Sequence, residues 1–325
     1  MSFPLFRRPG TVVFVDDDAD YLDMLAMVLP RHWHLRLHVR PSQCIHELLR
    51  EPPLWEIDAW NQQVLVDQWR QGKPLIPQIL AYWARSGDRY ALARVCVVDF
   101  SMPGMDGLQV LADISEWQGA RALLTGQADE QVAVRAFNRG LIDQFIPKQL
   151  PDISRRLIEA VDGMLAAPHP RHSEIWRTTL TPDQHALLQS SGVQQALQEF
   201  VASHWVEHIA IGDPFGILGI DDAGSVSWLQ LETRDGLHAL AELAELEGVD
   251  ADGLEDIRSG RKLVSLELRQ AVGLTGPCEL VPAFSPGRDA RLLAAQFRIP
   301  AEALPNRIQG YRGWLAEQLP RRVQD

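Results

Sequence analysis

The stretch from Arg94 to Gly107 constrains the fold of this chain more than any other. Four apolar residues, Val95–Val98, run directly into Asp99, and a Pro-Gly turn follows. A short run that is apolar at every position is typical of a strand buried on both faces of a parallel sheet. Ligands of open α/β sheets bind at the carboxyl ends of such strands. Asp99 is therefore placed to meet a ligand, although an aspartate that merely starts a turn gives the same local pattern.

A second apolar strand, Thr11–Val15, ends in a group of acids. Asp16, Asp17, Asp18 and Asp20 follow it, just before an amphipathic helix. One acid is enough to cap that helix, so either Asp18 or Asp20 satisfies the need. Like charges packed together are costly unless a cation neutralises them. Carboxylate oxygens with open positions beside them suit Mg²⁺.

Two further predicted strands also end in a polar side chain. One runs over 122–124 and ends at Thr125, and the other runs over 144–147 and ends at Lys148. The four strand ends therefore supply acids, a hydroxyl and an ammonium. Phosphoryl transfer to a carboxylate needs a nucleophilic aspartate, a divalent metal and donors to the phosphoryl oxygens. The alternative is a flavodoxin-like domain whose strand-end acids have no function.

These residues resemble the receiver domain of two-component response regulators, of the chemotaxis-receiver type. The resemblance includes Asp16, Asp17, and Asp99 with its turn Met102–Gly107. It implies a flavodoxin-like doubly wound parallel sheet and a phosphoryl group accepted by Asp99 from a sensor histidine kinase or a phosphotransfer protein. It also implies a Mg²⁺ ion held by Asp17, Asp99 and the main-chain carbonyl of Ser101, with Asp16 acting through water.

The resemblance extends to Thr125, Gly126 and Lys148. It implies that Thr125 and Lys148 contact the phosphoryl oxygens and that Phe145 is the rotating aromatic switch. Any catalysis is then limited to phosphorylation and dephosphorylation of the receiver itself. One departure is Gln149, which follows Lys148 where the family usually has proline. The loop on the lysine side of the site is therefore expected to differ.

Residues 51–93 are additional to what a receiver needs. Apolar residues at helical spacing in Ile57–Arg70 and Ile76–Trp83 predict two inserted helices. We expect the four tryptophans of this insertion to be buried against the receiver, or else to form a docking surface for a kinase or a second copy. The predicted domains are a receiver over 1–166, a linker over 167–174 and an output domain over 175–325.

Composition restricts the compartment and the partners. No segment resembles a signal peptide, and no apolar run approaches the ~18 residues of a membrane span. Three widely separated cysteines indicate reduced thiols in the cytoplasm. A net charge of −12 weighs against DNA as a partner, because DNA-binding proteins place basic residues against phosphate.

The second half is predicted to be an α+β domain. Two β-type runs joined by Asp221-Asp222-Ala223-Gly224 predict a hairpin. Helices are predicted at 181–189, 193–209, 238–246 and 307–319, and a strand at 262–268. A PAS-like arrangement is one candidate, but this order of elements is too common to choose the fold.

His204, Glu207 and His208 fit the inverted zinc-peptidase pattern H-x-x-E-H. On the predicted helix, the two histidines lie four residues apart and face the same way, as zinc ligands must, and Glu207 would be the general base. The alternative is an amphipathic helix with two partly exposed histidines. A zinc site also needs a third ligand that the pattern does not supply.

The hairpin and the long insertion also resemble the output regions of response regulators encoded beside quorum-sensing kinases. This resemblance implies signalling through protein contacts or a small ligand. We therefore interpret the chain as a phosphorylation-dependent response regulator that signals by dimerisation or protein interaction, without binding DNA. The alternatives are a phosphorylation-controlled enzyme with a metal site in the output domain, and a transcription factor of unrecognised fold.

Overall fold

The structure, a computed structural model, describes residues 2–126, 130–287, 291–318 and 323–324. Its strands are β1 (Phe6–Arg7), β2 (Thr11–Val15), β3 (His34–His38), β4 (Ala93–Asp99), β5 (Ala120–Thr125), β6 (Gln144–Pro147), β7 (Glu207–Gly212), β8 (Phe215–Ile220), β9 (Val226–Thr233), β10 (Lys262–Val264), β11 (Leu280–Pro282), β12 (Leu292–Arg298) and β13 (Val323–Gln324).

The helices lie between and after these strands. They are α1 (Ala19–Val28), α2 (Pro41–Leu48), α3 (Pro52–Arg70), α4 (Leu75–Arg85), α5 (Gly107–Asp113), α6 (Glu130–Asn138), α7 (Ile153–Ala166), α8 (Pro170–Arg177), α9 (Pro182–Gln189), α10 (Ser191–His204), α11 (Leu237–Leu246), α12 (Ala251–Arg258), α13 (Leu266–Val272) and α14 (Tyr311–Glu317). Among the helices in the described ranges, none has the length and apolar character needed to cross a membrane.

The chain divides into two compact units, and each unit is assembled from three separate segments. The receiver unit comprises Pro9–Trp60, Asp88–Ala167 and Trp314–Asp325. The C-terminal unit comprises Met1–Arg8, Asn61–Gly87 and Pro168–Gly313. This interleaving differs from the contiguous boundaries predicted from the sequence, and helix α8 occupies most of the predicted linker.

The receiver unit is built on a parallel sheet. Its strand order is β13-β3-β2-β4-β5-β6, and every neighbouring pair is parallel. Apart from the edge strand β13, this is the 2-1-3-4-5 order of flavodoxin-like domains. The predicted fold class is therefore confirmed for this unit.

Helices cover both faces of the parallel sheet because alternate residues of each strand point to opposite sides. On one face, strand side chains pack against Leu25 of α1 and Val161 of α7. On the other face they pack against Leu48 of α2, Val110 of α5 and Ala136 of α6. The strands are thus enclosed by two layers of helices, and their carboxyl ends share one edge of the sheet.

The C-terminal unit is built on an antiparallel sheet in the order β1-β7-β8-β9-β12. Its edge strand β1 comes from the start of the chain, with Phe6 opposite Ile209. The predicted hairpin is present as β8 and β9. In its turn, the Asp221 carboxylate accepts backbone N–H groups from Ala223 at 2.9 Å and Ser225 at 2.8 Å. The prediction of a second, α+β domain is therefore confirmed.

Two element predictions in this half were wrong. The helix predicted over 193–209 ends at His204, and Glu207–Gly212 is instead strand β7. Strand β7 pairs with β1 on one side and β8 on the other, and this pairing outweighs the helical spacing of its apolar residues. The strand predicted over 262–268 stops at Val264, and helix α13 follows at once.

The insertion forms the two predicted helices, α3 and α4. Its second part, Asn61–Gly87, belongs to the C-terminal unit, contrary to the expectation of a local extension of the receiver. Within that unit the Trp176 indole N–H donates to the Gln62 side-chain oxygen at 2.7 Å, with both side chains buried. Trp83 is also fully buried, whereas Trp60 is 64% exposed. The insertion therefore contributes to the core of the C-terminal unit.

Burial raises the pKa of Glu232, on β9, to about 7, and Glu267 adds to the rise. Below the ordinary pKa of 4.5 this group is protonated in both folded and unfolded chains. Between that value and about 7 only the unfolded chain releases its proton, so we expect the free energy of unfolding to fall as pH rises through this window.

Urea unfolding of the full chain at pH 5 and pH 7.5 tests this expectation. Glu232→Gln should reduce the loss of stability between the two pH values. Glu174→Gln, at an exposed side chain on α8, should leave that loss unchanged. Equal pH dependence in all three proteins would contradict the expectation.

Candidate functional site

Four polar residues meet at the carboxyl edge of the parallel sheet. Asp16 follows β2, Asp99 ends β4, Thr125 ends β5 and Lys148 follows β6. Parallel strands bring their ends to one edge, and the register of β4 and β5 places Asp99 beside Leu124. Asp16, Asp99 and Thr125 are buried. The structure therefore brings the residues singled out from the strand ends to one edge of the sheet, and their roles stay predictions.

Lys148 joins two of the carboxylates. Its Nζ lies 2.7 Å from Asp16 Oδ2 and 2.7 Å from Asp99 Oδ1. Burial lowers the pKa of Lys148, but its hydrogen bonds to Asp16 and Asp99 outweigh burial and raise the pKa above its ordinary value. Lys148 is therefore a fixed ammonium at neutral pH, held between the two acids.

Asp16, Asp17 and Asp99 form a cluster of three potential metal ligands. One carboxylate oxygen from each lies within 4.8 Å of the others, and within the described residues no other group of three or more potential ligands is this close. Burial raises the pKa of Asp16 even though the hydrogen bond from Lys148 lowers it. A divalent cation would offset the repulsion of three neighbouring carboxylates, so the donor set fits Mg²⁺.

Asp18 is the residue that caps helix α1. Its side chain accepts the backbone N–H of Tyr21 at 3.1 Å. The Asp18 backbone N–H in turn donates to Asp16 Oδ1 at 3.0 Å. Because Asp18 caps the helix, Asp16 and Asp17 remain available for a metal.

The turn after β4 fixes the Asp99 carboxylate. The backbone N–H of Ser101 donates to Asp99 Oδ2 at 3.1 Å. Gly107 is required here, because a Cβ atom at this position would lie 2.2 Å from the Asp99 carbonyl oxygen. Asp106 caps helix α5 by accepting the backbone N–H of Gln109 at 2.9 Å. The predicted role of the Ser101 carbonyl as a metal ligand stays a prediction.

Thr125 provides a buried hydroxyl at the site. Its side chain is fully buried, and Oγ1 has no hydrogen-bond partner among the residues that the structure describes. Its backbone carbonyl accepts the N–H of Lys148 at 2.9 Å, which fixes the two residues relative to each other. An unpaired buried hydroxyl is costly, so this group suits an oxygen-rich ligand such as a phosphoryl group.

Phe145 is half-buried and packs against the core face that contains α2, α5 and α6. Gln149, in place of the usual proline, is exposed.

Sequence reasoning gave no role to Tyr21, whose ring centroid lies 4.6 Å from Lys148 Nζ. In the sequence, Tyr21 is one residue of an amphipathic helix, and nothing in that pattern indicates contact with the lysine.

The H-x-x-E-H residues do not form the predicted helical metal site. His204 ends α10 and is exposed, and its Nδ1 lies 2.9 Å from the Phe200 carbonyl. Glu207 and His208 are successive residues of β7 and therefore point to opposite faces of the sheet. The His208 Nε2–H donates to the Pro4 carbonyl at 3.0 Å, and burial lowers the pKa of His208 to about 4.

Glu207 has a structural partner instead. Its Oε1 lies 2.7 Å from Arg8 Nε, and both side chains are buried. We expect Arg8→Ala to lower the free energy of unfolding by about 3–5 kcal/mol, because the buried carboxylate loses its counter-charge. Urea unfolding of the full chain at pH 7 measures this change in the free energy of unfolding.

Arg312→Ala is the matched control. Arg312 pairs with Asp222 at 2.9 Å, but these side chains are 68% and 51% exposed. Loss of an exposed pair costs about 1 kcal/mol at most. The double variant Arg8→Met/Glu207→Gln should be more stable than Arg8→Ala. An Arg8→Ala effect as small as the control would contradict a structural role for the pair.

Comparison with known proteins supports the fold. No protein-family model matches the chain, and no curated protein matches it by sequence. The structure of the Legionella pneumophila response regulator LqsR is similar, with a TM-score of 0.70 and 22% identity over 98% of this chain and 97% of that one.

Receiver-domain structures match the chain over about half of its length. One, from Clostridium thermocellum, has 16% identity and a TM-score of 0.31 over 48% of this chain and 94% of that one. Another, from Methanospirillum hungatei, has 17% identity and a TM-score of 0.30 over the same shares. The chain as a whole has the fold of the response regulator LqsR, which confirms at the level of fold the resemblance identified from the strand-end residues.

Proposed function

We propose that this protein is a response regulator of a two-component system, phosphorylated on Asp99. The observation that carries the proposal is the Lys148 ammonium, 2.7 Å from both Asp16 and Asp99, at a site where Asp17 adds a third carboxylate. Receivers accept the phosphoryl group from a histidine kinase or a phosphotransfer protein, and we propose such a partner here. Three free cysteines support a cytoplasmic location.

The proposed reaction transfers a phosphoryl group to the carboxylate of Asp99. A carboxylate oxygen forms a bond to phosphorus while the bond from phosphorus to the donor nitrogen of phosphohistidine breaks, and the released imidazole takes up a proton. Asp16, Asp17 and Asp99 would hold Mg²⁺, with the Ser101 carbonyl as a further ligand, and the metal supplies charge neutralisation to the phosphoryl oxygens.

The residues of this chain position and stabilise the phosphoryl group. Lys148 places a positive charge beside its oxygens, and the buried Thr125 hydroxyl donates a hydrogen bond to one of them. We infer that Thr125 moves toward the phosphoryl group, that Phe145 turns inward, and that the surface around α6, β6 and α7 changes as a result. His204, Glu207 and His208 do not come together in the C-terminal unit, so we propose no metal-dependent activity for that unit.

Phosphorylation is tested with acetyl phosphate and Mg²⁺. The wild type should acquire one acid-stable, base-labile phosphoryl group, seen as a retarded band on a phosphate-affinity gel, and Asp99→Asn should acquire none. Asp106→Asn is the matched control, because it changes another aspartate of the same turn and asparagine can still cap α5. Uptake by Asp99→Asn, or loss of uptake in Asp106→Asn, would contradict the assignment.

We further propose that the phosphorylated form signals by dimerisation through the receiver. Val134 and Phe137 support this, because they lie one turn apart on α6 and are 45% and 50% exposed. Exposed apolar pairs of this kind are common at protein interfaces.

The resemblance to regulators encoded beside quorum-sensing kinases makes a population-density signal the proposed input.

Sedimentation with Mg²⁺ and beryllofluoride, which mimics the phosphoryl group, tests the dimer. The wild type should shift from monomer to dimer, Asp99→Ala should not, and Phe137→Ser should remain monomeric. Leu246→Ser is a control at an exposed apolar residue of the C-terminal unit and should dimerise normally. If the wild type does not shift, the dimerisation proposal fails and phosphorylation acts through another partner.

A further inference from the structure

The C-terminal unit contains a cavity that the proposed phosphorylation does not use. Its volume is about 410 Å³, within the range of about 300–1,000 Å³ that small-molecule sites occupy. Trp69, Lys73, Asp213, Glu267 and Gln270 are among the residues that line it. We propose that this cavity binds a small organic cation, a compound with an ammonium or guanidinium group and a compact apolar part.

The charge of the lining is the first argument. Asp213 and Glu267 place two carboxylates on the wall, and neither side chain makes an ion pair or a hydrogen bond with another residue in the described part of the chain. Glu267 is half-buried. Burial and, to a smaller extent, the charge of Asp213 raise the pKa of Glu267. A cation bound between the two carboxylates would offset their negative charge.

Trp69 is the second argument. The indole is half-buried at the end of α3 and lines the same cavity as the two acids. The face of an indole attracts ammonium and guanidinium groups, and more strongly where water is partly excluded. An aromatic face combined with carboxylates is thus suited to an organic cation rather than to an anion.

The cavity does not contain a three-ligand metal cluster. Among the described residues, only Asp16, Asp17 and Asp99 of the receiver place three ligand atoms within 4.8 Å of one another. The two carboxylates of the cavity wall are therefore not part of such a cluster.

Among the described residues that line the cavity, Lys73 is the only cation, and it makes the proposal testable. It is exposed and lies 3.5 Å from the side-chain oxygen of Gln68. Its ammonium repels a cationic ligand, so its removal should strengthen binding. An anionic ligand would give the opposite result. Because Lys73 is exposed, Lys73→Gln should fold normally.

Calorimetric titration of the full-length protein tests the proposal with three probes: choline, butylammonium and butylguanidinium. At least one should bind, and the neutral isostere of choline, 3,3-dimethylbutan-1-ol, should bind at least about tenfold more weakly than choline does. Failure of all three cations to bind at 10 mM (a concentration of about ten times a 1 mM Kd) would overturn the proposal.

Variants of the wall should change the affinity for the bound cation in opposite directions. Trp69→Leu and Glu267→Gln should each weaken it about tenfold. Lys73→Gln should strengthen it about threefold, as expected for removal of a nearby like charge. Trp60→Leu, on the exposed face of the same helix, and the exposed Glu242→Gln are matched controls that should bind like the wild type.

The pattern across variants decides the outcome. Equal weakening by Glu267→Gln and Glu242→Gln would mean attraction to an acidic protein in general, and weakening by Lys73→Gln would mean an anion site. Either result overturns the proposal. Asp99→Ala should bind as the wild type does, so loss of phosphorylation and loss of cation binding are separate findings.

Discussion

The contact on which the candidate site depends is that of Lys148 with Asp16 and Asp99. Three carboxylates at one edge of a sheet repel one another, and the ammonium at 2.7 Å from two of them offsets part of that repulsion. The parallel sheet makes the arrangement possible, because residues far apart in sequence end neighbouring strands at one edge. The buried Thr125 hydroxyl, which has no hydrogen-bond partner in the described part of the chain, lies at the same edge.

The C-terminal unit depends on a different kind of contact. Its sheet takes its edge strand from the first residues of the chain and holds that strand with a buried ion pair between Arg8 and Glu207. Gln62 of the insertion accepts a hydrogen bond from the buried Trp176. Segments from three parts of the sequence are thus required for one core, and charged or polar groups fix their positions within it.

Predictions from the sequence were correct where a short local pattern was enough to determine the structure. The strand ends at Asp16, Asp99, Thr125 and Lys148 were predicted from an apolar run followed by a polar residue. This pattern indicates both where the strand ends and which polar side chain lies there. The helix predicted through Glu207 was wrong, because the partners that make these residues a strand, β1 and β8, lie outside the window. The contact of Tyr21 with Lys148 could not be predicted for the same reason.

The interleaved order of the segments also bears on how such a protein can evolve. Many multidomain proteins exchange a module by a single recombination event, because each module is one uninterrupted piece of the gene. Here the chain passes from one unit to the other five times, at each boundary between the six segments. A single crossover anywhere within this region would leave one of the units without part of its fold. The two units of this architecture are therefore inherited together.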